Sequence, residues 1–554
     1  MTVHVRLDER SAGFTGVGLG LATGHPAVVL TTSGTAAAEL HAAVVEADLA
    51  GVPLIVCTAD RPPELHDVGA PQTIDQLHLY GRSVRWFADP GVPVVGTRPS
   101  WRSLAARAVA ESTSGSSGPG PVHLNLPFRE PLLGDPAVGG GVAPDRGDGA
   151  PWHAVVAGVP APDEQWIRWR VETGPLRPGR RGVIVAGAGC GEPEPVLAMA
   201  AALGWPVLAD PRSGLRRTTS GVIGAADGIL QSDRFVDRHT PDVIVRLGER
   251  WVSKVVNGFV SQAIGRGAHC VTVDPLGRWS DPDREVAEFV RADPTLFALH
   301  LTRGATDLVT GSPTIATSSS WSADWQRAED RAQAVIGGTL GRPAADVHLT
   351  EPALAHRLFG ALPDDATLVV SSSMPVRDVE AFAGPRARPP RVISNRGANG
   401  IDGVVSTAIG VALAGPGPTV ALVGDLAFLH DVSALVGVEG VEVDLTVVVA
   451  DNRGGGIFSF LPPAGALDPE IFDTLFGTPQ GVDTAAVATG FGWPVDDVGP
   501  GSGPDGLEEA LARRVGHGSP AVIRVQLPGR TANVDAHRQI NAAIVRAIDL
   551  PDGG

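Results

Sequence analysis

The stretches PTVALVGDLAFLHD (Pro418 to Asp431) and DLTVVVADNRGGGIFSF (Asp444 to Phe460) decide the fold. Each contains an unbroken, β-branched apolar run of strand length, which reads as a parallel strand buried on both faces. Each run stops on polar residues, Gly424-Asp425 in the first and Asp451-Asn452 in the second, with Asp425 and Asn452 27 residues apart. In open parallel sheets, ligands collect outside the carboxyl ends of the strands. A carboxylate and an amide oxygen on adjacent strand ends can share one hard cation such as Mg²⁺, which takes oxygen ligands together with phosphate oxygens and water. The glycines Gly454, Gly455 and Gly456 let the Gly454 carbonyl approach as a further ligand, and the helix after Gly424 offers its N-terminus to a phosphate. Taken singly, Asp425 is a helix N-cap and Asn452 a turn residue. Together, on strand ends, they favour a site for a metal and a diphosphate.

The chain repeats this rhythm three times. AVVLTT (Ala27 to Thr32), a helical pattern from Thr35 to Leu49, PLIVCTAD (Pro53 to Asp60) and PVHLNLP (Pro121 to Pro127) form a first α/β unit. RGVIVAGAG (Arg181 to Gly189), WPVLAD (Trp205 to Asp210), DVIVRLG (Asp242 to Gly248) and HCVTVDP (His269 to Pro275) form a second. TLVVSSS (Thr367 to Ser373), RVISNRG (Arg391 to Gly397) and AVIRVQLP (Ala521 to Pro528) join the opening pair in a third. The expected architecture is therefore α/β, with three consecutive domains of mostly parallel sheets at 1–135, 152–340 and 348–554. The Gly/Pro/Asp-rich run from Leu133 to Pro151 reads as a linker, and the polar run from Thr310 to Ser320 as a lead into a helix and a second linker before His348. The GAGCG turn (Gly187 to Gly191) lacks the full G-x-G-x-x-G pattern and reads as a strand–helix turn without a nucleotide.

Composition narrows the function classes. The chain has 554 residues, 43% of them hydrophobic, enough for several cores. A net charge of -17 argues against nucleic acid or an anionic membrane as partner. Cys57, Cys190 and Cys270 are too few and too scattered for a disulfide framework or a zinc knuckle. No apolar run reaches the length of a membrane span, and the first residues do not read as a secretory signal, so a soluble protein of a reducing compartment is expected. Lys254 is the only lysine among 44 basic residues. That ratio reads as a GC-rich codon bias, against which one compact ammonium stands out, although an ordinary surface cation is an equal reading.

The Gly-Asp to Asn spacing resembles the diphosphate-binding motif of thiamin diphosphate enzymes. Those enzymes carry pyrimidine-binding, central and diphosphate-binding domains in this order. Within them, the strings DERSAGF, TSGTAAAEL, ADRPPEL, SNRGANGIDG, GDLAFLHD and DNRGGGIFSFLP are similar to the 2-succinyl-5-enolpyruvyl-6-hydroxy-3-cyclohexene-1-carboxylate synthases (MenD) of menaquinone biosynthesis. The resemblance runs from the first residues to the last strand.

It implies a transferase with thiamin diphosphate and Mg²⁺ as cofactors, Mn²⁺ being the alternative ion. The implied reaction is decarboxylation of 2-oxoglutarate and conjugate addition of the resulting carbanion to isochorismate. Glu9 falls on the family's catalytic glutamate, expected at a strand end entering a helix, beside the aminopyrimidine ring; taken bare, it is an acidic residue in a dipole-favoured first turn. Gln72 matches a glutamine near the reacting carbon. Arg61, Lys254, Ser373 and Arg377 fall on anion-contacting positions, each otherwise an ordinary surface residue. Ile457, Phe458 and Leu461 would form an apolar wall, Ile401 would brace the cofactor, and Gly424, Asp425, Asn452 and the Gly454 carbonyl would hold the metal–diphosphate end. A cytoplasmic homodimer or homotetramer is implied as well.

Two departures from the family accompany the likeness. The resemblance implies a strand–turn–helix unit ahead of Glu9, with a CPGSR-like substrate loop; its lack leaves the first sheet one strand short, and a start upstream of Met1 is expected, a shortened and impaired chain being the alternative. Pro71, in GAPQ, replaces an asparagine and removes a backbone N–H. Two other readings stay open. One is a carboligase related to acetolactate synthases, which would carry FAD in the central domain. The other is a non-catalytic homologue that binds the cofactor alone.

Overall fold

The computed structural model describes residues 2–94, 98–133, 152–155, 158–311, 319–341, 349–437 and 443–550. The Leu133 to Pro151 linker beyond 133, residues 312–318 of the Thr310 to Ser320 run, and the linker at 342–348 lie outside the described residues. The described strands fall into three sheets, and every strand pairing in them is parallel. The first holds β1 (Ala27–Thr31), β2 (Leu54–Asp60), β3 (Trp86–Ala88) and β4 (Pro121–Pro127) in the order β1-β2-β4-β3. The second holds β5 (Gly182–Ala186), β6 (Val207–Ala209), β7 (Val222–Ile223), β8 (Val243–Leu247), β9 (His269–Val273) and β10 (Glu288–Val290) in the order β10-β9-β8-β5-β6-β7. The third holds β11 (Thr367–Val370), β12 (Arg391–Ile393), β13 (Thr419–Gly424), β14 (Leu445–Asp451), β15 (Val495–Val498) and β16 (Ala521–Gln526) in the order β12-β11-β13-β14-β16-β15.

Alternation inside the apolar runs explains why both faces of the third sheet are covered. Val420 and Leu422 of β13, with Val448 of β14, pack under Leu354 and Leu358 of the helix Glu351–Ala361. Ala421 and Val423, with Val447 and Val449, pack on the other side under Val405 and Ile409 of the helix Val404–Ala414. A strand buried on both faces has no reason to alternate polar residues, which is how these runs come to be continuous.

Several expectations need correction. Glu9 does not stand at a strand end: residues 2–6 form no strand, and Glu9 opens the helix Glu9–Thr23 behind the N-cap Asp8, whose side chain accepts from the N–H groups of Arg10 and Ser11. The helical pattern from Thr35 to Leu49 forms two helices, Thr35–Glu39 and His41–Ala50, meeting at Leu40. Asp425 is not an N-cap: Gly424 occupies that position and Asp425 is the first residue of the helix Asp425–His430. The GAGCG turn is filled by the chain itself, since a Cβ at Gly187 would lie 1.9 Å from the Glu249 carbonyl oxygen.

The units are bound to one another by buried polar bridges. Arg216 is fully buried, and its five N–H groups end on carbonyl oxygens: Ala209 and Gly224 in the central domain, and Val379, Glu380 and Ala383 at the end of the third-domain helix Met374–Phe382. The Glu380 carboxylate reaches back and accepts from the N–H groups of Val252 and Ser253 at 2.8 and 2.6 Å. Ser253 in turn caps the helix Lys254–Gly265. The first domain is joined to the third by Glu46, which accepts from the N–H groups of Gly397 and Ala398 at 2.8 and 2.6 Å. The last helix, Arg530–Asp549, sends Ile540 and Ile544 into the core of the central domain beside Ile229, Phe235 and Trp325.

Helices Glu9–Thr23 and Val404–Ala414 cross with their backbones in contact. A Cβ at Gly18 would lie 2.0 Å from the Thr407 carbonyl oxygen, and one at Gly410 would lie 2.1 Å from that of Thr15. Gly410→Ala must separate the helices and is expected to lower stability by about 1–3 kcal/mol, read as a fall in the thermal midpoint. A second outcome follows from His123, which is fully buried with its Nε2 2.8 Å from Thr58 Oγ. Burial, with His78 nearby, holds its imidazole down to about 4. Below the unfolded value of about 6.5, the unfolded chain takes up a proton that the folded imidazole refuses. Stability therefore drops by up to about 3 kcal/mol as pH falls from about 6.5 to about 4. His123→Gln is expected to flatten this fall, measured by urea unfolding at pH 7 and 4.5.

Candidate active site

Strands β13 and β14 pair with Gly424 opposite Ala450, so the residues that follow each strand emerge side by side. Asp425 is 4% exposed and Asn452 7%. Asp425 Oδ1 accepts from the Leu426 N–H at 2.8 Å, and Oδ2 accepts from the Gly454 N–H at 2.7 Å, so the carboxylate already spans the two strand ends. The turn is tight: Arg453 has φ 62° and Gly454 φ 134°, and the Gly454 carbonyl accepts from the Gly456 N–H at 2.9 Å. A carbonyl oxygen has two lone pairs, so that bond leaves one available to a further partner.

These groups fit a cation. Burial is the first cause that pushes the Asp425 carboxyl up to about 6, against the pull of its backbone donors. Asn452 Nδ2 donates to Glu351 Oε1 at 2.7 Å, while Asn452 Oδ1 is buried with no partner. Glu351 is itself raised above the usual carboxylate range, chiefly by burial and then by Asp378. A desolvated carboxylate and an unpaired amide oxygen on adjoining strand ends lack what a hard cation supplies.

A cavity of about 490 Å³ opens in front of them. Of the residues expected at the site, Ser373, Arg377, Ile401, Gly424, Asp425, Asn452, Gly454, Ile457 and Phe458 line it together. Ser373, at the start of the helix Met374–Phe382, has φ 74° and ψ -133°, a strained conformation for a residue with a side chain. Its carbonyl accepts from Arg377 Nη1. Leu461 lies elsewhere, in a larger neighbouring groove of about 1440 Å³ that meets the cavity at Asn452.

Arg396 also lines the cavity, and sequence reasoning passed over it although it sits within the quoted SNRGANGIDG string. Its guanidinium is held down to about 10, first by burial and then by the like charges of Arg212 and Arg377. Two crowded, partly desolvated guanidinium groups facing one cavity describe a receptor for anions such as carboxylates. Glu46 was missed too. It fixes the 397–398 backbone between Arg396 and Ile401, and nothing in its helical context distinguishes it.

The remaining expected residues lie outside this cavity. Glu9 is half-buried between Asp8, which accepts from Ser433 Oγ, and Arg10, which donates to the His430 carbonyl at 2.7 Å. Arg61 donates from Nε to the Pro71 carbonyl at 3.4 Å, so the two loops stand together. Gln72 has φ 57° and donates from Nε2 to Thr32 Oγ and the Ser33 carbonyl. Lys254 is exposed in the first turn of its helix, where the dipole disfavours a cation. Within one chain the cavity is therefore built from the third domain only, by residues between 351 and 458.

Three family models match the chain in sequence order. They are described as the N-terminal TPP binding domain of thiamine pyrophosphate enzymes (residues 1–79), the middle domain of thiamine pyrophosphate enzymes (150–370) and their C-terminal TPP binding domain (378–525). An X-ray structure of a proposed thiamin diphosphate-dependent enzyme isolated from Mycobacterium smegmatis is similar in fold, with a TM-score of 0.65 and 19% identity, covering 95% of this chain and 92% of that one. A Chloroflexus aurantiacus protein named 2-succinyl-5-enolpyruvyl-6-hydroxy-3-cyclohexene-1-carboxylate synthase is 41% identical over 88% of this chain and 81% of its own length. A Listeria innocua protein of the same name is 36% identical over 100% of this chain and 92% of its own. At these identities, over most of both sequences, the chain belongs to the 2-succinyl-5-enolpyruvyl-6-hydroxy-3-cyclohexene-1-carboxylate synthase family of thiamin diphosphate enzymes.

Proposed function

We propose that this chain is a cytoplasmic transferase that decarboxylates 2-oxoglutarate and joins the remaining four-carbon unit to isochorismate. The observation that carries the reading is that Asp425 and Asn452, at the ends of the paired strands β13 and β14, line one arginine-bearing cavity, with Asn452 Oδ1 buried and unpaired. When bound, thiamin diphosphate supplies the electron sink that a 2-oxo acid needs in order to lose CO₂.

The chain's own residues do the rest. Asp425, Asn452 and the Gly454 carbonyl hold Mg²⁺, or Mn²⁺ in its place, and with Gly424 secure the diphosphate. Ile401, Ile457 and Phe458 would give the cavity its apolar side and exclude water from it. Arg377 and Arg396 grip substrate carboxylates by paired N–H donors, with Ser373 adding a hydroxyl. Lys254, outside the cavity, adds a point charge for a substrate carboxylate, and Leu461 extends the apolar wall from the neighbouring groove. In this reading residues 1–135 serve the pyrimidine end, 348–554 the diphosphate end, and 152–340 lies between.

Glu9, Arg61 and Gln72 lie outside the cavity of their own chain, so a second copy presents them and the active form is a homodimer, alone or paired into a tetramer. Glu9 then holds the pyrimidine ring by its carboxyl, and Gln72 and Arg61 face the substrates. No helix among the described residues is long and apolar enough to cross a membrane, in keeping with this setting.

Adding thiamin diphosphate and Mg²⁺ at about 100 times their Kd is expected to stabilise the protein by about 2.7 kcal/mol, and a chelator is expected to remove the gain. Asp425→Ala is expected to abolish that thermal shift. With 2-oxoglutarate and isochorismate present, the wild type is expected to release CO₂ and form the coupled product. Glu9→Gln is expected to lower turnover at least about 100-fold while sparing the thermal shift. A wild type that binds the cofactor and releases no CO₂ overturns the catalytic reading.

A further inference from the structure

Behind the proposed metal ligand stands a carboxylate with no assigned role. Glu351 is the first residue of the helix Glu351–Ala361, capped by Thr350, and is 6% exposed on the inner wall of the cavity. Its Oε1 takes the Asn452 Nδ2 donor at 2.7 Å. The backbone makes room for this bond, because a Cβ at Gly456 would lie 2.7 Å from Asn452 Nδ2.

A side-chain amide has one donating and one accepting end, and they are nearly the same shape. Only the partner decides which end faces which way. The geometry sets Asn452 Nδ2, not Oδ1, against Glu351 Oε1, so Glu351 engages the NH₂ end. The oxygen of Asn452 is then the group turned elsewhere, and it is the buried atom left without a partner. An apolar residue at position 351 would let the amide turn over and present NH₂ to a cation. The same contact explains an amide rather than a carboxylate at position 452: the change Asn452→Asp would set two carboxylates within hydrogen-bond distance of each other.

We propose that Glu351 is a positioning residue that holds Asn452 by its amide nitrogen, so that Asn452 Oδ1 faces the cation shared with Asp425. This rests on the metal reading above. Removing the hydrogen-bond partner of a metal ligand typically weakens metal binding by about 10–100-fold.

The test uses Mn²⁺ as the probe, with thiamin diphosphate present and substrates absent, following free Mn²⁺ by electron paramagnetic resonance. Glu351→Ala is expected to weaken Mn²⁺ binding by about 10–100-fold. Glu351→Gln keeps an accepting oxygen and is expected to stay within about threefold of wild type. The double variant Asn452→Asp with Glu351→Gln is expected to bind Mn²⁺ at least about tenfold more tightly than Asn452→Asp alone, because a side-chain amide at position 351 can donate to the new carboxylate. Wild-type affinity in Glu351→Ala overturns the proposal, as does an Asn452→Asp affinity indifferent to the residue at position 351. If Glu351→Ala fails to fold, the comparison of Asn452→Asp with the double variant decides. A wild type that binds no Mn²⁺, or an Asp425→Ala variant that binds it normally, overturns the metal reading and the proposal with it. Loss of the positioning role alone leaves Asp425→Ala defective.

Discussion

Arg216 carries a full positive charge to a place that water does not reach, and the arrangement around the site depends on how that charge is satisfied. Removing a guanidinium from water is costly, and an incomplete set of partners would make it ruinous. Here all five donors end on carbonyl oxygens, three of them at the last turn of the helix Met374–Phe382, where the helix dipole is negative. That anchors the C-terminal end of the helix to the central domain. Its N-terminal end, which bears Ser373 and Arg377, is thereby set over the cavity. Glu380, on the same helix, repeats the bolt in the other direction through Val252 and Ser253, and so sets the start of the helix that begins with Lys254.

The cavity holds two electrostatic imbalances side by side. On one wall Asp425 and Glu351 are carboxylates raised by burial, with too little positive charge near them. On another, Arg377 and Arg396 are guanidinium groups lowered by burial and, for Arg396, by like charge. The two walls do not neutralise one another. In the proposed function, a cation bound to a diphosphate would answer the first wall, and a substrate carboxylate the second. The site would then be matched in sign to a metal-bound anion on one side and an anionic substrate on the other, without needing net charge of either sign.

How much of this was legible in the sequence depended on burial. Central strands such as β2, β5, β13 and β14 are covered on both faces and so announce themselves as apolar runs. The edge strands β3, β7, β10 and β15 were missed: they have two to four residues, and β15 carries Asp496 and Asp497 in its middle. The break at Leu40 left no mark because both flanking helices are rich in alanine. At the site, Asp425 and Asn452 were legible because polar residues at the ends of apolar strands are conspicuous. Glu351 was not, because an acid just after a capping threonine is ordinary helix chemistry. Arg216 was hidden by composition, since one arginine among so many gives no hint of its burial.

The placement of Ile540 and Ile544 bears on how the molecule is made. The middle domain's strands and most of its core lie before residue 340, yet two of its core side chains are supplied by the final helix. The third sheet is similar, since β16 inserts between β14 and β15 and closes the sheet late. On a ribosome extending the chain at about 5–20 residues per second, neither unit can finish packing as it emerges. Both wait for the same C-terminal segment, and the central core, with roughly two hundred residues still to be added after residue 340, stays open to solvent and to chaperones for about 10–40 s before it can shut.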